Sequence, residues 1–348
     1  MKERVLIIAN ARFKGGSSGS DKIYESFEKY WPASVSKHSV DCDYRPFFLC
    51  YLQRIIVGCI MALAEPKHYD TVYSSSDFLP DCLSGFLFKL RGYRWVAGYY
   101  LEAPKKNKIH YWSQKISKWL INKFSDMVIV TNPTMFRLFP DKKKTWINGG
   151  IDLELAGISE EKKLFDAVWC GRIHYTKGID ELCDVWIKVK SKNPRATLAL
   201  IGDGDMGIGY IKKRLGFTNG VHYFGFMGNE RYSIYKMSKL VLYTTPIQYD
   251  HFSMAPVEAM ACGCPCVSFN LETAKSFNPT GWIICNTIDK MAEIVNYHPI
   301  IRNLNEDAFT WASKFNYKDE AIRVYKEIHE NINNRSLRGT RDSSKAIA

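Results

Sequence analysis

The sequence predicts an α/β protein made of two doubly wound domains, and three observations carry that expectation. At 348 residues the chain is long for a single core and suits two domains of ordinary size. Short β-branched runs alternate with longer helical stretches, the pattern of parallel sheets built from βαβ units. The alternation runs once through residue 131, breaks, and restarts after residue 160.

In the first series the strand candidates are RVLIIAN (4–10), DTVYS (70–74), RWVAGYY (94–100) and MVIVT (127–131). In the second they are DAVWCG (166–171), ATLALIG (196–202), VHYFGF (221–226), LVLYTT (240–245), PCVSF (265–269) and GWIIC (281–285). The break falls in WINGGIDLELAGISEEKKLF, where paired glycines precede a charged, weakly apolar stretch suited to a hinge. The expected organisation is an N-terminal domain over 1–158, a C-terminal domain over 159–305, a helical region over 306–333 that packs back on the N-terminal domain, and a tail over 334–348. The tail is polar and basic with almost nothing to bury, and is expected to be disordered. MKERVLIIAN reads as a buried first strand rather than a signal peptide, and RIIVGCIMALAEP (54–66) as a core helix too short to span a bilayer.

Composition is that of a globular protein, with a formal net charge of +12. Residues 1–155 hold 23 Lys and Arg against 15 Asp and Glu, so +8 of that charge lies in this half. Such a half could face nucleic acid, anionic lipid or a phosphorylated substrate. The basic residues form no nucleic-acid-binding motif or stacking module, so no nucleic-acid partner is expected. Ten cysteines show no paired CxxC spacing, which suggests neither a zinc site nor a disulfide scaffold. Cys262, Cys264 and Cys266 read as small buried packing residues, and free thiols fit a reducing, cytoplasmic compartment.

Three segments could carry chemistry. In LIIANARFKGGSSGSDKIYESF a strand runs into a Gly/Ser loop with Gly15, Gly16 and Gly19, followed by a helix. Glycines there let backbone N–H groups approach a phosphate, although the spacing matches neither GxGxxG nor a P-loop. In VWCGRIHYTKGIDELCDVW, Arg172 and Lys177 sit just past a strand's carboxyl end, where open α/β sheets bind ligands and where two cations could clamp a diphosphate. In YDHFSMAPVEAMACGCPCV, Ser253 suits an N-cap, Pro256 the first turn and Gly263 the C-terminal end of a helix. The amides of residues 253–255 then make an anion seat flanked by Asp250 and Glu258. Carboxylates beside such a seat suit the hydroxyls of a ligand that is both anionic and sugar-like, while Glu258 taken by itself reads first as complementing the helix dipole.

The series GRIHYTKG, LIGDGD, YFGFMGNE and DHFSMAPVEAMACGCPCV, with INGGIDLE before it, resembles the retaining glycosyltransferases of family 4, which have the GT-B fold of two Rossmann-like domains facing across a cleft. The resemblance implies that Gly15 and Gly16 bring backbone to a donor diphosphate and that Arg172 and Lys177 hold it and stabilise the departing charge. It implies that Glu258, as the second acid of E-x7-E, binds the ribose, with Asp250 in the place of the first. It assigns Phe252, Ser253 and Met254 to the loop whose amides meet the phosphate or sugar, and Gly225 and Phe226 to the nucleobase slot. It further implies a UDP-linked or, second, a GDP-linked sugar donor, a glycan or lipid-linked acceptor, front-face attack and no required cofactor. Asp203 and Asp205 read as a tight turn rather than a metal site, and no essential metal is expected. Many members carry a His after the strand that here reads RWVAGYYLEAP; this chain has Tyr99, Tyr100 and Glu102 instead. The competing readings are a sugar-nucleotide hydrolase or epimerase on the same fold, a basic nucleic-acid-binding protein, and an idle binding module. Finally, KKNKIHYWSQKISKWLINKF (105–124) sets Ile109, Trp112, Ile116 and Trp119 at near-helical spacing among lysines. Packing of the tryptophans in the core is one reading; peripheral contact with an anionic membrane face is the other.

Overall fold

The computed structural model describes residues 2–11, 19–40, 47–66, 68–100, 102, 108–131, 133–147, 149–215, 220–249, 253–271, 275, 279–297 and 302–343. The chain divides into two compact units: Ile151–Asn316, and Met1–Gly150 together with Tyr317–Ala348. The division falls eight residues ahead of the expected break at 158, and residues 306–316 go with the middle unit. The return to the N-terminal unit begins only at Tyr317.

The N-terminal unit contains β1 (Arg4–Ile8), α1 (Gly19–Tyr30), β2 (Ser34–His38), α2 (Phe47–Ala64), β3 (Thr71–Ser74), α3 (Leu79–Leu90), β4 (Arg94–Tyr99), α4 (Lys108–Phe124), β5 (Met127–Val130) and β6 (Lys143–Trp146). All strands run parallel in the order β2-β1-β3-β4-β5-β6. The four strands read from sequence are the inner ones. Covered on both faces, they appear as near-continuous apolar runs. The two edge strands, SVSKH and KKTW, are partly in water and carry no such run.

On one face of this sheet Val5, Ile7, Tyr73 and Met127 meet Tyr24 and Phe27 of α1. The helix Tyr317–Ser343 closes the same face: Ala321, Val324 and Ile328 are buried there, and the Trp31 indole donates to the Ala321 carbonyl at 3.0 Å. Burying Val324 and Ile328 contributes about 1.5–3 kcal/mol each. The helix continues through residues 334–343, part of the segment that composition reads as disordered. The other face carries α2, α3 and α4 side by side.

Of the two readings of the α4 tryptophans, packing in the core is excluded, and the expectation that α2 is a core helix is reversed. Trp112 and Trp119 of α4 are 60% and 55% exposed, while Ser113, Gln114 and Ser117 face inward. On α2, read as a core helix, the buried positions are Cys50, Arg54, Gly58 and Ala62. The large apolar residues lie outside. The helices sit too close for large inward side chains: a Cβ on Gly58 would come within 2.5 Å of Asn10 Nδ2 and 2.8 Å of Ser84 Oγ.

The second unit contains β7 (Ala167–Cys170), α5 (Ile179–Lys192), β8 (Leu198–Ile201), α6 (Gly207–Leu215), β9 (Val221–Gly225), α7 (Arg231–Lys236), β10 (Val241–Tyr243), α8 (Met254–Met260), β11 (Cys266–Phe269), β12 (Trp282–Cys285), α9 (Ile288–Asn296) and α10 (Asn305–Ala312). Its parallel sheet has the order β12-β11-β10-β7-β8-β9. One core packs α5, α6 and α9 on the sheet, and the other packs α7, α8 and α10. Cys262, Cys264 and Cys266 are fully buried in the latter core, with free thiols.

Candidate functional site

The strand order of the second unit creates a switch point. The chain moves outward from β7 to β8 and β9, then returns to place β10 on the other side of β7. In open α/β sheets such a point, at the strands' carboxyl ends, opens a crevice for ligands. Arg172 and Lys177 lie in the loop that leaves β7 there. The loop is tied to its neighbours by backbone contact. The Ile173 amide donates to the Asp203 carbonyl at 3.0 Å, and a Cβ on Gly204 would lie 2.6 Å from the Ile173 oxygen and 2.8 Å from Arg172 Cγ. The GDGD segment is thus a turn that supports the Arg172 loop, with the Asp203 carboxylate accepting from the Gly204 amide at 2.8 Å. Among the described residues no group of three or more His, Cys, Asp or Glu side chains is placed to hold a metal ion.

Lys177 closes a 3-10 turn, Tyr175–Lys177, whose start is capped by the His174 imidazole accepting from the Thr176 amide. Gly178 follows with φ +72°, and a Cβ there would stand 1.9 Å from the Thr244 carbonyl oxygen. Only glycine combines that dihedral with that approach. The Thr244 hydroxyl donates to the Gly178 carbonyl at 2.7 Å and accepts from the Trp169 indole at 3.0 Å. The cation loop after β7 is therefore anchored on the carboxyl end of β10. Burial pushes the Lys177 ammonium down to about 8, and the nearby Arg172 charge adds to the effect. Two cations so placed are strained in each other's company, and an arriving dianion relieves the strain.

Glu258 is the fifth residue of α8, whose N-cap is Ser253 in extended conformation without a side-chain cap bond. Met254 begins the helix, and Gly263, at φ +70°, ends it two residues past the C-cap Ala261. Glu258 is buried and held by a residue that sequence reasoning missed. Arg231, at the start of α7, donates Nε to Oε2 at 2.7 Å and Nη2 to Oε1 at 2.6 Å, and its Nη1 reaches the Gly228 carbonyl at 2.6 Å. Burial disfavours the guanidinium charge, but the Glu258 carboxylate outweighs it and holds Arg231 above its ordinary value. A carboxylate offers about four acceptor positions and this fork uses two. The Cys170 thiol, the last residue of β7, is pushed up to about 11 by burial, with Glu258 raising it and Arg231 lowering it. The Arg231–Glu258 pair thus acts electrostatically on the strand end from which Arg172 departs two residues later.

Gly225 ends β9, its carbonyl accepting from the Gly202 amide at 2.7 Å, and Phe226 beyond it is largely exposed. Thr245 Oγ1, buried past the end of β10, has no hydrogen-bond partner among the described residues. Gly15, Gly16, Asp250 and Phe252 lie outside the described residues. The approach to the glycine loop is described as far as Ala11, whose amide donates to Asp81 at 3.0 Å. Asp81 is buried and also accepts from the hydroxyls of Ser75, at 3.3 Å, and Ser76, at 2.5 Å. Burial raises its carboxyl to about 7 against these lowering contacts. Tyr99 and Tyr100, at the end of β4, are both buried, and burial, first among the causes, lifts both phenols well above their ordinary value. Neither is a base at neutral pH.

Two six-stranded parallel sheets, each between two helix layers, define the GT-B fold. Residues 165–297, the stretch that carries Arg172, Lys177, Arg231 and Glu258, match the family described as glycosyl transferases group 1. Sucrose-phosphate synthase from Thermosynechococcus elongatus superposes with a TM-score of 0.71 at 14% identity, over 97% of this chain and 100% of that one. Anabaena HepE in complex with UDP and glucose gives 0.68 at 16% identity, over 94% and 99%. An E. coli structure described as trehalose-6-phosphate bound with UDP-2-fluoro glucose gives 0.62 at 11% identity, over 92% and 97%. At these identities the likeness is one of fold. The comparison with curated proteins finds no match.

Proposed function

We propose that the chain is a retaining glycosyltransferase that moves a sugar from a nucleotide-diphospho-sugar to a hydroxyl of a glycan or lipid-linked acceptor. The observations that support this reading, all within the second unit, are the Arg172–Lys177 pair in the loop that leaves β7 and a buried carboxylate, Glu258, held by Arg231. The cations take the diphosphate. Glu258 spends two of its acceptor positions on Arg231 and keeps the rest for the ribose hydroxyls. Phe226 and Gly225 flank the nucleobase, and Ser253 and Met254 offer backbone amides to the phosphate or sugar. The UDP complexes of Anabaena HepE favour UDP over GDP as the donor base.

In the reaction the bond between the sugar C1 and the leaving phosphate oxygen breaks, and its electron pair stays on the diphosphate. Arg172 and Lys177 stand where that negative charge grows, and removing one such contact costs about 10²–10³ in rate. The acceptor oxygen bonds C1 from the face that the phosphate leaves, and its proton passes to the departing phosphate oxygen. No protein nucleophile is required, in keeping with the raised phenols of Tyr99 and Tyr100.

The test is a thermal-shift screen of UDP- and GDP-sugars followed by product analysis. A donor at a hundred times its dissociation constant stabilises by about 2.7 kcal/mol. Arg172→Ala, at an exposed position, is expected to abolish that gain and leave the ligand-free unfolding temperature unchanged. Free sugar as the sole product with every acceptor tried would replace transfer with hydrolysis. A lack of stabilisation by any sugar nucleotide would remove the donor site.

A further inference from the structure

We infer that the outer face of α2 and α4 docks on an anionic lipid surface. Both helices are built inside out. On α2 the outward row is Phe48, Leu49, Leu52, Ile56, Ile60 and Leu63, with Phe48 and Ile60 each 59% exposed, whereas the inward row is short apart from Arg54. The outward row recurs every three or four residues along 18 residues, a stripe ~27 Å long. On α4 the outward row is Trp112, Ile116 and Trp119. The two rows lie on the same helix layer, on either side of α3, and at one end the Tyr51 hydroxyl of α2 and the Ser113 hydroxyl of α4 share a hydrogen bond at 2.7 Å. Together they leave nine large apolar side chains about half in water, on the order of several hundred Å².

Charge selects the occupant. Residues 44–64 contain no acid, and residues 103–125 contain six lysines and no acid. On the α4 side Glu102 lies 3.8 Å from Lys118, and the buried Asp77 accepts from Gln114 on the inward side at 2.5 Å. Lys115 Nζ stands 4.7 Å over the Trp112 ring and Lys123 Nζ 5.4 Å over Trp119. Apolar bodies with cationic ends on one face match the boundary between acyl chains and negative headgroups. A second copy of the chain fits less well, since a two-fold contact through this face would set lysines against lysines. Among the described residues no helix is long and apolar enough to cross a membrane, so the contact is one of helices lying on the surface.

The experiment is co-sedimentation of the full chain with vesicles of phosphatidylcholine, or of the same lipid with a third replaced by phosphatidylglycerol, at low and high salt. Binding to the anionic vesicles is expected, weakened by salt and faint on the neutral ones. Ile56→Glu with Ile60→Glu should abolish it, and Lys115→Glu with Lys118→Glu should weaken it by at least about 25-fold, from about five-fold per lysine. Both variants change exposed or half-exposed positions and should keep the parent unfolding temperature. The inference is overturned if the parent stays in solution with anionic vesicles, or if both variants bind as it does. It is equally overturned if the face proves to be a protein interface, with a self-associated parent that the Ile56→Glu, Ile60→Glu variant separates and that ignores lipid. Vesicle binding is read without any sugar nucleotide, so its outcome is independent of the transfer reaction.

Discussion

The Arg231–Glu258 fork gives a quantitative test of how the site is held. Its two bonds of 2.7 and 2.6 Å join side chains only 13% and 9% exposed. Arg231→Met leaves a buried carboxylate without its two donors, and Glu258→Leu leaves a guanidinium with the Gly228 carbonyl alone. Breaking one side of a buried pair costs about 3–5 kcal/mol, whereas replacing both sides with apolar groups of similar volume is often close to neutral. The two single variants should each lose on that order, and the double variant should lose less than their sum by at least about 2–3 kcal/mol. Urea unfolding of all four proteins, with matching slopes, reads the cycle. Nucleotide titration adds a second arm: Arg231→Met should weaken UDP binding although Arg231 has no assigned contact with the ligand. Single variants that add within about 0.5 kcal/mol, with UDP affinity intact in Arg231→Met, would refute the idea that the fork orients Glu258.

Two further outcomes follow from titrating groups. Asp81 has its carboxyl raised to about 7 in the folded protein against an ordinary 3.8, so the folded state binds a proton that the unfolded chain gives up. The stability this represents, on the order of 4 kcal/mol, is full below about pH 4 and drains away as pH rises through 7; urea midpoints between those values should fall, and Asp81→Asn should flatten the profile. Lys177, lowered to about 8, must be protonated to hold a diphosphate, so calorimetric affinity for UDP should drop as pH rises through 8 and lose that inflection in Lys177→Met.

The fold was legible in the sequence because the inner strands of a parallel sheet must be apolar on both faces. The eight inner strands could be read that way, and the edge strands β9 and β12 were legible from their own apolar residues, whereas β2 and β6 escaped because an edge strand can be SVSKH or KKTW and still pair. The cation loop was legible because Arg172 and Lys177 stand next to a strand and a glycine in sequence. Arg231 was not, since 27 residues separate it from Glu258 and only the packing of α7 on α8 joins them. Asp81 and Arg54 were hidden for a related reason: they serve the backbone of Ala11 from helices far along the chain. The tryptophans of α4 were legible as a stripe, but periodicity alone does not say whether a stripe points in or out. That was decided by Ser113, Gln114 and Ser117, whose small or polar side chains fill the inward side.

The helix Tyr317–Ser343 has a consequence for how the protein is made. The surface around Trp31 and Phe27 that it covers is synthesised early, and the 151–316 segment must leave the ribosome before the cover exists. At about 5–20 residues per second that interval is on the order of ten to thirty seconds, long enough for the middle unit to fold while its sibling waits with an uncapped apolar flank. Translation speed and chaperone supply should therefore govern yield more through the first unit than through the one that holds the cations.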